Sequence, residues 1–473
     1  MIMGIFGRVM LVMAVFLCLP LIVGAIYKED LYFAFLIPAG SLALLGVILV
    51  AAGKTKNGNI YATEGFIIVA LSWIIMSVVG ALPFILSGEI PNFFDALFES
   101  VSGFTTTGAT ILPEVEVLSH ATQFWRVFTH WLGGMGVLVF LLAIIPRGAG
   151  MMHIFRAEST GPSSSKLVSK MSYTARILYG IYIFLTLLET LFLVCGGASF
   201  YEALLTAFST AGTGGFSMYT DSIAHFNNAY IEIVVAVFML LFGVNFNVYY
   251  LILVGQFKKV LKNEELRVYL IILITATVVI AVNILSTSIN FITALRYSFF
   301  QVTSISSTTG FVSYDFKDWP ALSKGILLFL TVIGACGGST GGGIKVARLT
   351  ILLKSGAKDI KKLLHPRAAE SVRFEGEPIE KQIERNVRTY AIIWVLLVVV
   401  STLVLSIFYN DLYTNFLSSL SCIGNVGPLV SEPMFCFNAY NSVSKVVLSI
   451  LMLAGRLEIF PIIILLTPYA WRK

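Results

Sequence analysis

Ten runs of roughly twenty apolar residues, joined by short polar links, leave this chain few folds to choose from. An α-helix rises about 1.5 Å per residue, so about 20 apolar residues are needed to cross a hydrocarbon core. The runs are approximately Val9–Ile26, Tyr32–Ala52, Gly65–Leu86, Phe124–Ile145, Tyr173–Val194, Ile231–Val254, Tyr269–Leu285, Gly325–Leu353, Tyr390–Phe408 and Val443–Leu466. Only 12% of the residues are charged and 57% are hydrophobic, where a soluble domain carries about 25% charge. The expectation is an all-α polytopic membrane protein embedded in a lipid bilayer. A single early cation, Arg8, precedes the first run as it would in a signal peptide. That run is nonetheless long enough to span, and a second follows at once.

Four shorter apolar segments remain: Asn92–Gly103, Phe200–Ser209, Phe291–Ser304 and Tyr413–Cys422. Each is too short to cross and reads as a re-entrant half-helix. Together with the last eight runs they repeat one order four times: span, short segment, Gly/Thr loop, span. The loops align on a glycine, with SGFTTTGA over STAGTGGF, SISSTTGF and SCIGNVGP. The aligned glycines are Gly108, Gly215, Gly310 and Gly427, and a serine stands six positions before each. A period of about 100 residues is that of a whole supersecondary unit. The fold class expected is therefore four span–pore-loop–span repeats around a pseudo-fourfold central pore, plus two extra N-terminal transmembrane helices. The segments are 1–58 (the extra helices), 59–150, 151–258 and 259–355 (repeats 1 to 3), 356–388 (a cytoplasmic linker) and 389–473 (repeat 4). Of the second spans, only that of repeat 3 reads as clearly broken.

The net charge of +6 does not point to nucleic acid, because the basic residues are dispersed through short loops. They cluster at Arg147–Arg176, Lys258–Arg267 and Arg348–Arg388, so the positive-inside rule puts these loops and the N-terminus in the cytoplasm. The Gly/Thr loops then face outward, beside Glu89, Asp95, Glu114, Glu116, Asp221, Asp315, Asp318, Asp411 and Glu432. Lys354–Arg388 reads as a cytoplasmic helix plus loop, either a solvated linker or a docking surface. The five cysteines contain no CxxC pair, and the five histidines form no metal-binding pattern. A disulfide between Cys422 and Cys436 stays open. A membrane enzyme would need clustered intramembrane His, Cys or Asp, and the sequence has none.

Non-helical backbone at membrane depth is tolerated where it lines water or is buried in protein. Glycine can adopt φ > 0 and turn carbonyls toward an axis, and rings of carbonyls replace the water shell of a cation. The hydroxyls of Thr105–Thr107, Thr213 and Ser307–Thr309 add ligands or brace the loops. Oxygens without carboxylates suit a weakly hydrated monovalent ion better than calcium. Below the third loop, GACGGSTGGGIK (residues 334–345) interrupts an apolar run. It does not meet GxxxxGK[ST], which disfavours a phosphate-binding loop. The remaining readings are a gate across the path or a passive kink. Lys345 and Arg456 lie in apolar runs, where a central charge costs at least about 2.5–3.5 kcal/mol. Lys345 either tunes that loop or snorkels to the surface. Arg456 either repels ions in the pore or pairs with an acid. Asp95, Glu99 and Glu202 precede or begin half-helices, where an acid complements the dipole.

On TTTGA, STAGTGGFS, SSTTGF, GGSTGGGIK and the late AGRLEIF, the chain resembles the Trk/Ktr/HKT superfamily of potassium-transport subunits, in its TrkH/TrkG branch. The resemblance spans essentially the whole sequence. It implies a potassium selectivity filter at Thr105, Thr106, Thr107 and Gly108; Gly212, Thr213, Gly214 and Gly215; Ser307, Thr308, Thr309 and Gly310; and Gly424, Asn425, Val426 and Gly427. Sodium-selective members carry serine at the first filter glycine, so Gly108 favours potassium. In the fourth loop Asn425 and Val426 replace hydroxyl residues. The gate implied comprises Ala335, Gly337, Gly338, Ser339, Thr340, Gly341, Gly342 and Gly343, with Lys345 and Arg456. The resemblance also implies a homodimer in a bacterial inner membrane with both termini cytoplasmic. Its partner would be a cytosolic TrkA-like nucleotide-binding ring. Potassium is the only ion implied; there is no covalent cofactor, and nucleotide acts only through the partner. The competing function is an alternating-access sodium- or proton-coupled symporter.

Overall fold

The computed structural model describes residues 2–53, 62–136, 171–285, 290–366, 371–430, 432 and 434–468. The first run forms α1 (Ile2–Phe16) and α2 (Leu19–Tyr27), a nearly continuous apolar rod. Pro20 fits the first turn of α2, where its missing N–H leaves no bond unmade. α3 (Tyr32–Ala52) packs along α1. A β-carbon on Gly7 would lie 2.7 Å from the carbonyl oxygen of Gly46. Such close backbone contact between small residues holds helices together where lipid removes the hydrophobic drive.

Four repeats follow. Repeat 1 comprises α4 (Ala62–Leu86), the short α5 (Phe93–Phe104) and α6 (His120–Met135). Repeat 2 comprises α7 (Met171–Cys195), the short α8 (Phe200–Gly212), then α9 (Ala229–Gly243), α10 (Phe246–Leu253) and α11 (Phe257–Lys262). Repeat 3 comprises α12 (Glu264–Ile284), the short α13 (Phe291–Ser306), α14 (Ala321–Ile333) and α15 (Val346–Leu364). Repeat 4 comprises α16 (Lys381–Ser406), the short α17 (Leu412–Gly424), α18 (Ser442–Arg456) and α19 (Phe460–Leu466). Among the described residues, six helices are long and apolar enough to cross a bilayer, seven if α9 and α10 count as one. Phe33, Ile271, Ile392 and Ile407 lie exposed on the outside of the bundle, the composition expected of a surface facing lipid.

Three of the four short helices start where polar side chains satisfy their first amides; α13 has no such cap. Asn92 Oδ1 accepts from Phe94 and Asp95, and Asp411 caps α17. Ser199 and Glu202 form a capping box on α8. The short helices run on further than their apolar stretches suggest, and Gly212 and Gly424 are their last helical residues. Packing closes the repeats into a circle. The second span of each repeat lies against the short helix of the next: α6 on α8, α9 on α13, α14 on α17, and α18 back on α5.

The expectation of a single broken second span is corrected. In repeat 2, α9 and α10 meet at 89° across Val244 and Asn245. In repeat 4, α18 and α19 are separated by Leu457–Ile459, with Glu458 and Ile459 at φ +58° and +67°. Asn245 caps α10 by accepting from Asn247 at 2.9 Å, a start signal hidden among apolar neighbours. In repeat 3 the chain leaves α14 at Gly334 and resumes as α15 after Lys345. α15 continues to Leu364, and a small hairpin follows, β1 (Arg373–Phe374) with β2 (Glu377–Pro378), beyond the expected helix plus loop. The cysteines are free thiols, so Cys422 and Cys436 are not bridged. Residues 137–170, with most of the Arg147–Arg176 cluster and the end of the fourth run, fall outside the described residues.

Candidate functional site

The C-terminal ends of the four short helices converge, and the loops that leave them share one backbone. Thr106, Thr213, Thr308 and Asn425 have φ between 55° and 61°. The glycines two positions on, Gly108, Gly215, Gly310 and Gly427, have φ between 78° and 92°. Threonine rarely adopts positive φ, at a cost of order 1–3 kcal/mol, and three such residues in register mark a constrained site. One bond recurs in each loop. The amides of Thr107, Gly214, Thr309 and Val426 donate to the carbonyls of Ser102, Ser209, Ser304 and Ser421, at 2.9, 3.0, 2.9 and 3.1 Å. These acceptors are the serines aligned in the sequence.

The loops meet around one axis. A β-carbon on Gly108 would lie 2.0 Å from the carbonyl oxygen of Gly214, and one on Gly215 2.1 Å from that of Thr309. One on Gly310 would lie 2.1 Å from the carbonyl oxygen of Val426, and one on Gly427 2.5 Å from that of Thr107. Each loop's carbonyl therefore abuts the glycine of a neighbour, and the sequence of contacts closes on itself. The four glycines line the floor of an outer cavity of about 90 Å³. The short helices aim their negative dipole ends at the ring, which favours a cation there. The hydroxyls brace the loops: Thr105 Oγ1 lies 2.8 Å from Thr107 Oγ1, and Ser307 Oγ 2.7 Å from Thr309 Oγ1. Thr213 Oγ1 donates to Gly212 O at 2.6 Å. Asn425 substitutes an amide for the hydroxyl, donating to Thr107 Oγ1 of repeat 1 and to Met452 O, both at 2.9 Å.

Residues 334–345 cross directly beneath this ring and are buried apart from the half-buried Gly338. Gly342 N donates to Thr308 Oγ1 at 2.6 Å. A β-carbon on Gly341 would meet Ser307 O at 2.7 Å, and one on Gly342 would meet Gly424 O at 2.4 Å. Two cations grip the loop's carbonyls. Lys345 is 2% exposed and its Nζ donates to Gly341 O, so it does not snorkel. Arg456 donates to Thr340 O at 2.6 Å, to Gly134 O at 2.6 Å and to Gly133 O. It thereby ties repeats 4, 3 and 1 together. Its neighbour Glu458 pairs with Arg348.

A sequence profile of the TrkH family, described as cation transport proteins, matches residues 39–470. The Trk system potassium uptake protein TrkH of Salmonella typhimurium is 35% identical over 476 residues, covering 99% of this chain and 98% of the relative. The chain belongs to the TrkH family. The Trk system potassium uptake protein TrkG of Escherichia coli is 33% identical, covering 96% of this chain and 95% of that one. The crystal structure of the potassium transporter TrkH from Vibrio parahaemolyticus superposes with a TM-score of 0.91 at 31% identity, covering 100% of this chain and 99% of that one. Membership places the chain among transport proteins rather than enzymes.

Several residues around this TrkH-family site went unnoticed in the sequence or were misplaced. Glu99 does not begin α5; it lies inside it, wholly buried, and pairs with Arg126 at 2.6 Å. It also accepts from Thr110 and from the amide of Ile111, while Arg126 reaches Ser217 O at 3.0 Å. The pair thus fixes the outer shoulders of the first two loops. Asp95 does sit in the first turn of α5 and pairs with Lys445 at 2.6 Å. His130 wedges between loops 1 and 2: Nδ1 lies 2.7 Å from Gly103 O, and Nε2 accepts from Phe216 N at 3.2 Å. At the mouth, Glu116 accepts two bonds from Thr220. Partial burial pushes its carboxyl up, but the Thr220 donors outweigh this and hold it below the usual range. These pairings left no sign in the sequence, because the partners stand from 11 to 350 positions apart, some within repeat 1 and some across repeats.

Proposed function

We propose that this chain conducts potassium ions into the cell through a pore formed within a single polypeptide. The observation that carries the reading is the closed head-to-tail ring of four carbonyls and four glycines, with no carboxylate among its ligands. Main-chain oxygens in such a ring stand in for the hydration shell of a large alkali ion, whereas a divalent ion would recruit carboxylates. The relatives named as Trk system potassium uptake proteins agree with this choice of ion. The ring residues are the selectivity filter, and Ala335–Gly343 with Lys345 and Arg456 is the gate. In the conformation described, the loop lies across the path with its carbonyls held by two buried cations.

The wider setting belongs to the same proposal. The protein resides in the bacterial inner membrane with both termini cytoplasmic, in keeping with its distribution of Lys and Arg. It works as a homodimer on a cytosolic TrkA-like nucleotide-binding ring, consistent with relatives named as components of a Trk system. The breaks in repeats 2 and 4 remove one objection to alternating access. Repeats that pack head to tail about one axis still argue against it, since that mechanism works between inverted or paired halves. The test is rubidium-86 uptake into proteoliposomes loaded with potassium. Uptake without any sodium or proton gradient is expected. A strict requirement for either gradient would overturn the pore reading.

A further inference from the structure

The inner loop is also held from the side away from the ring. Glu265 stands in the first turn of α12, where an acid ordinarily complements its own helix dipole. Here it is 3% exposed and turned elsewhere. Its Oε1 accepts from the amide of Gly337 at 2.6 Å and from that of Ala347 at 3.2 Å. These amides bracket the loop: Gly337 lies near its start, and Ala347 belongs to the first turn of α15, whose leading amides lack helical partners. Oε2 faces Asn245 Nδ2 at 3.5 Å, the residue that caps α10 after the break in repeat 2.

The same break seats the loop through its backbone. Cys336 N donates to Gly243 O at 3.1 Å, Phe246 N donates to Gly338 O at 3.0 Å, and Thr340 Oγ1 donates to Phe242 O at 3.2 Å. The two interruptions, one in each repeat, therefore form one hydrogen-bonded unit with Glu265 at its corner. Bonds to a carboxylate are roughly twice as strong as neutral ones, so one oxygen holding both ends of the loop is an effective anchor.

We infer that Glu265 is the positioning residue of the inner loop, fixing both its ends and coupling it to the α9–α10 break. The functional weight of this inference rests on the gate reading above. Glu265→Ala frees both amides. Glu265→Gln keeps a carbonyl oxygen that can accept them and serves as the conservative rescue.

The loop carries its own reporter, since Cys336 lies within it and is 0% exposed. Cys422, in α17, is also 0% exposed and serves as an internal control. The test uses full-length protein in proteoliposomes with Cys18, Cys195 and Cys436 changed to serine. Labelling of Cys336 and Cys422 by a small methanethiosulfonate reagent is followed by peptide mass, beside rubidium-86 flux. In Glu265→Ala we expect Cys336 to label about tenfold faster, Cys422 to keep its rate, and flux to rise by a similar factor, for the loss of two charge-assisted bonds. Glu265→Gln should stay within about threefold of the parent in labelling, because an acceptor remains. Unchanged Cys336 labelling in Glu265→Ala, or equal acceleration at Cys422, overturns the inference. Arg456→Ala is run in parallel. Raised flux there, with Glu265→Ala silent in both readouts, sinks the role of Glu265 and leaves the gate standing. Faster Cys336 labelling with no flux change in either variant supports the anchoring role and overturns the gate.

Discussion

A β-carbon on Gly108 would lie 2.0 Å from the Gly214 carbonyl oxygen, far inside contact distance, and the offending atom is backbone and cannot swing aside. Gly108→Ser should therefore displace the carbonyl that the neighbouring repeat contributes, as well as its own. The expected outcome is a loss of potassium-over-sodium discrimination of about tenfold, equivalent to about 1.4 kcal/mol, read from reversal potentials in mixed ions. Unchanged potentials would show that this glycine does not set the ring. Arg456→Ala removes donors to Thr340, Gly133 and Gly134 and should raise basal rubidium flux by about tenfold. Flux at or below the parent level would make Arg456 a structural tie alone. Asn425→Ala leaves Thr107 Oγ1 and Met452 O without their shared donor inside the protein. Thr107 Oγ1 keeps its bond with Thr105 Oγ1, so the loss is that of two buried hydrogen bonds worth about 0.5–1.5 kcal/mol each, and the purified variant should melt at a lower temperature. An unchanged melting curve would mean that water replaces the amide.

At the scale of helices, what could be read in advance depended on how local the signal was. The four short helices were visible because their apolar stretches are too short to span; three of them also carry a capping side chain, Asn92, Ser199 and Asp411. The glycine loops were visible because four copies align. The 89° break between α9 and α10 was not, because Asn245 sits in an unbroken apolar run and its role depends on Glu265 and the loop of another repeat. Glu99 was misread because its partner is not local in sequence: Arg126 lies on α6, the next helix of the same repeat. The two N-terminal spans had no assigned mechanism, and the structure gives them a contact. Glu29, after α2, accepts from the leading amides of α6, His120 at 2.7 Å and Ala121 at 3.0 Å, while Tyr27 stacks on the His120 ring. Glu29→Ala should cost about 1 kcal/mol of stability, as lost caps do, while leaving ion discrimination intact. A melting temperature equal to the parent's would show that this cap carries no weight. Altered reversal potentials would instead link the N-terminal hairpin to the ring.

At the scale of the whole molecule, the circular order of packing, α6 on α8 through to α18 on α5, makes each quarter of the ring the neighbour of two others. The crowding is not uniform. Three glycines would place a β-carbon 2.0–2.1 Å from a carbonyl oxygen, and Gly427 leaves 2.5 Å. Alanine substitutions at the four positions should rank accordingly, with Gly427→Ala retaining the most potassium selectivity in the same mixed-ion measurement. A reversed ranking would mean that crowding at the ring does not govern discrimination. Because the four quarters are written separately along one chain, a single altered codon changes one wall of the ring and leaves three as they were. An assembly of identical subunits multiplies every such change fourfold. This architecture can therefore be retuned one side at a time, and the asparagine standing among threonines in the last loop is a difference of that kind.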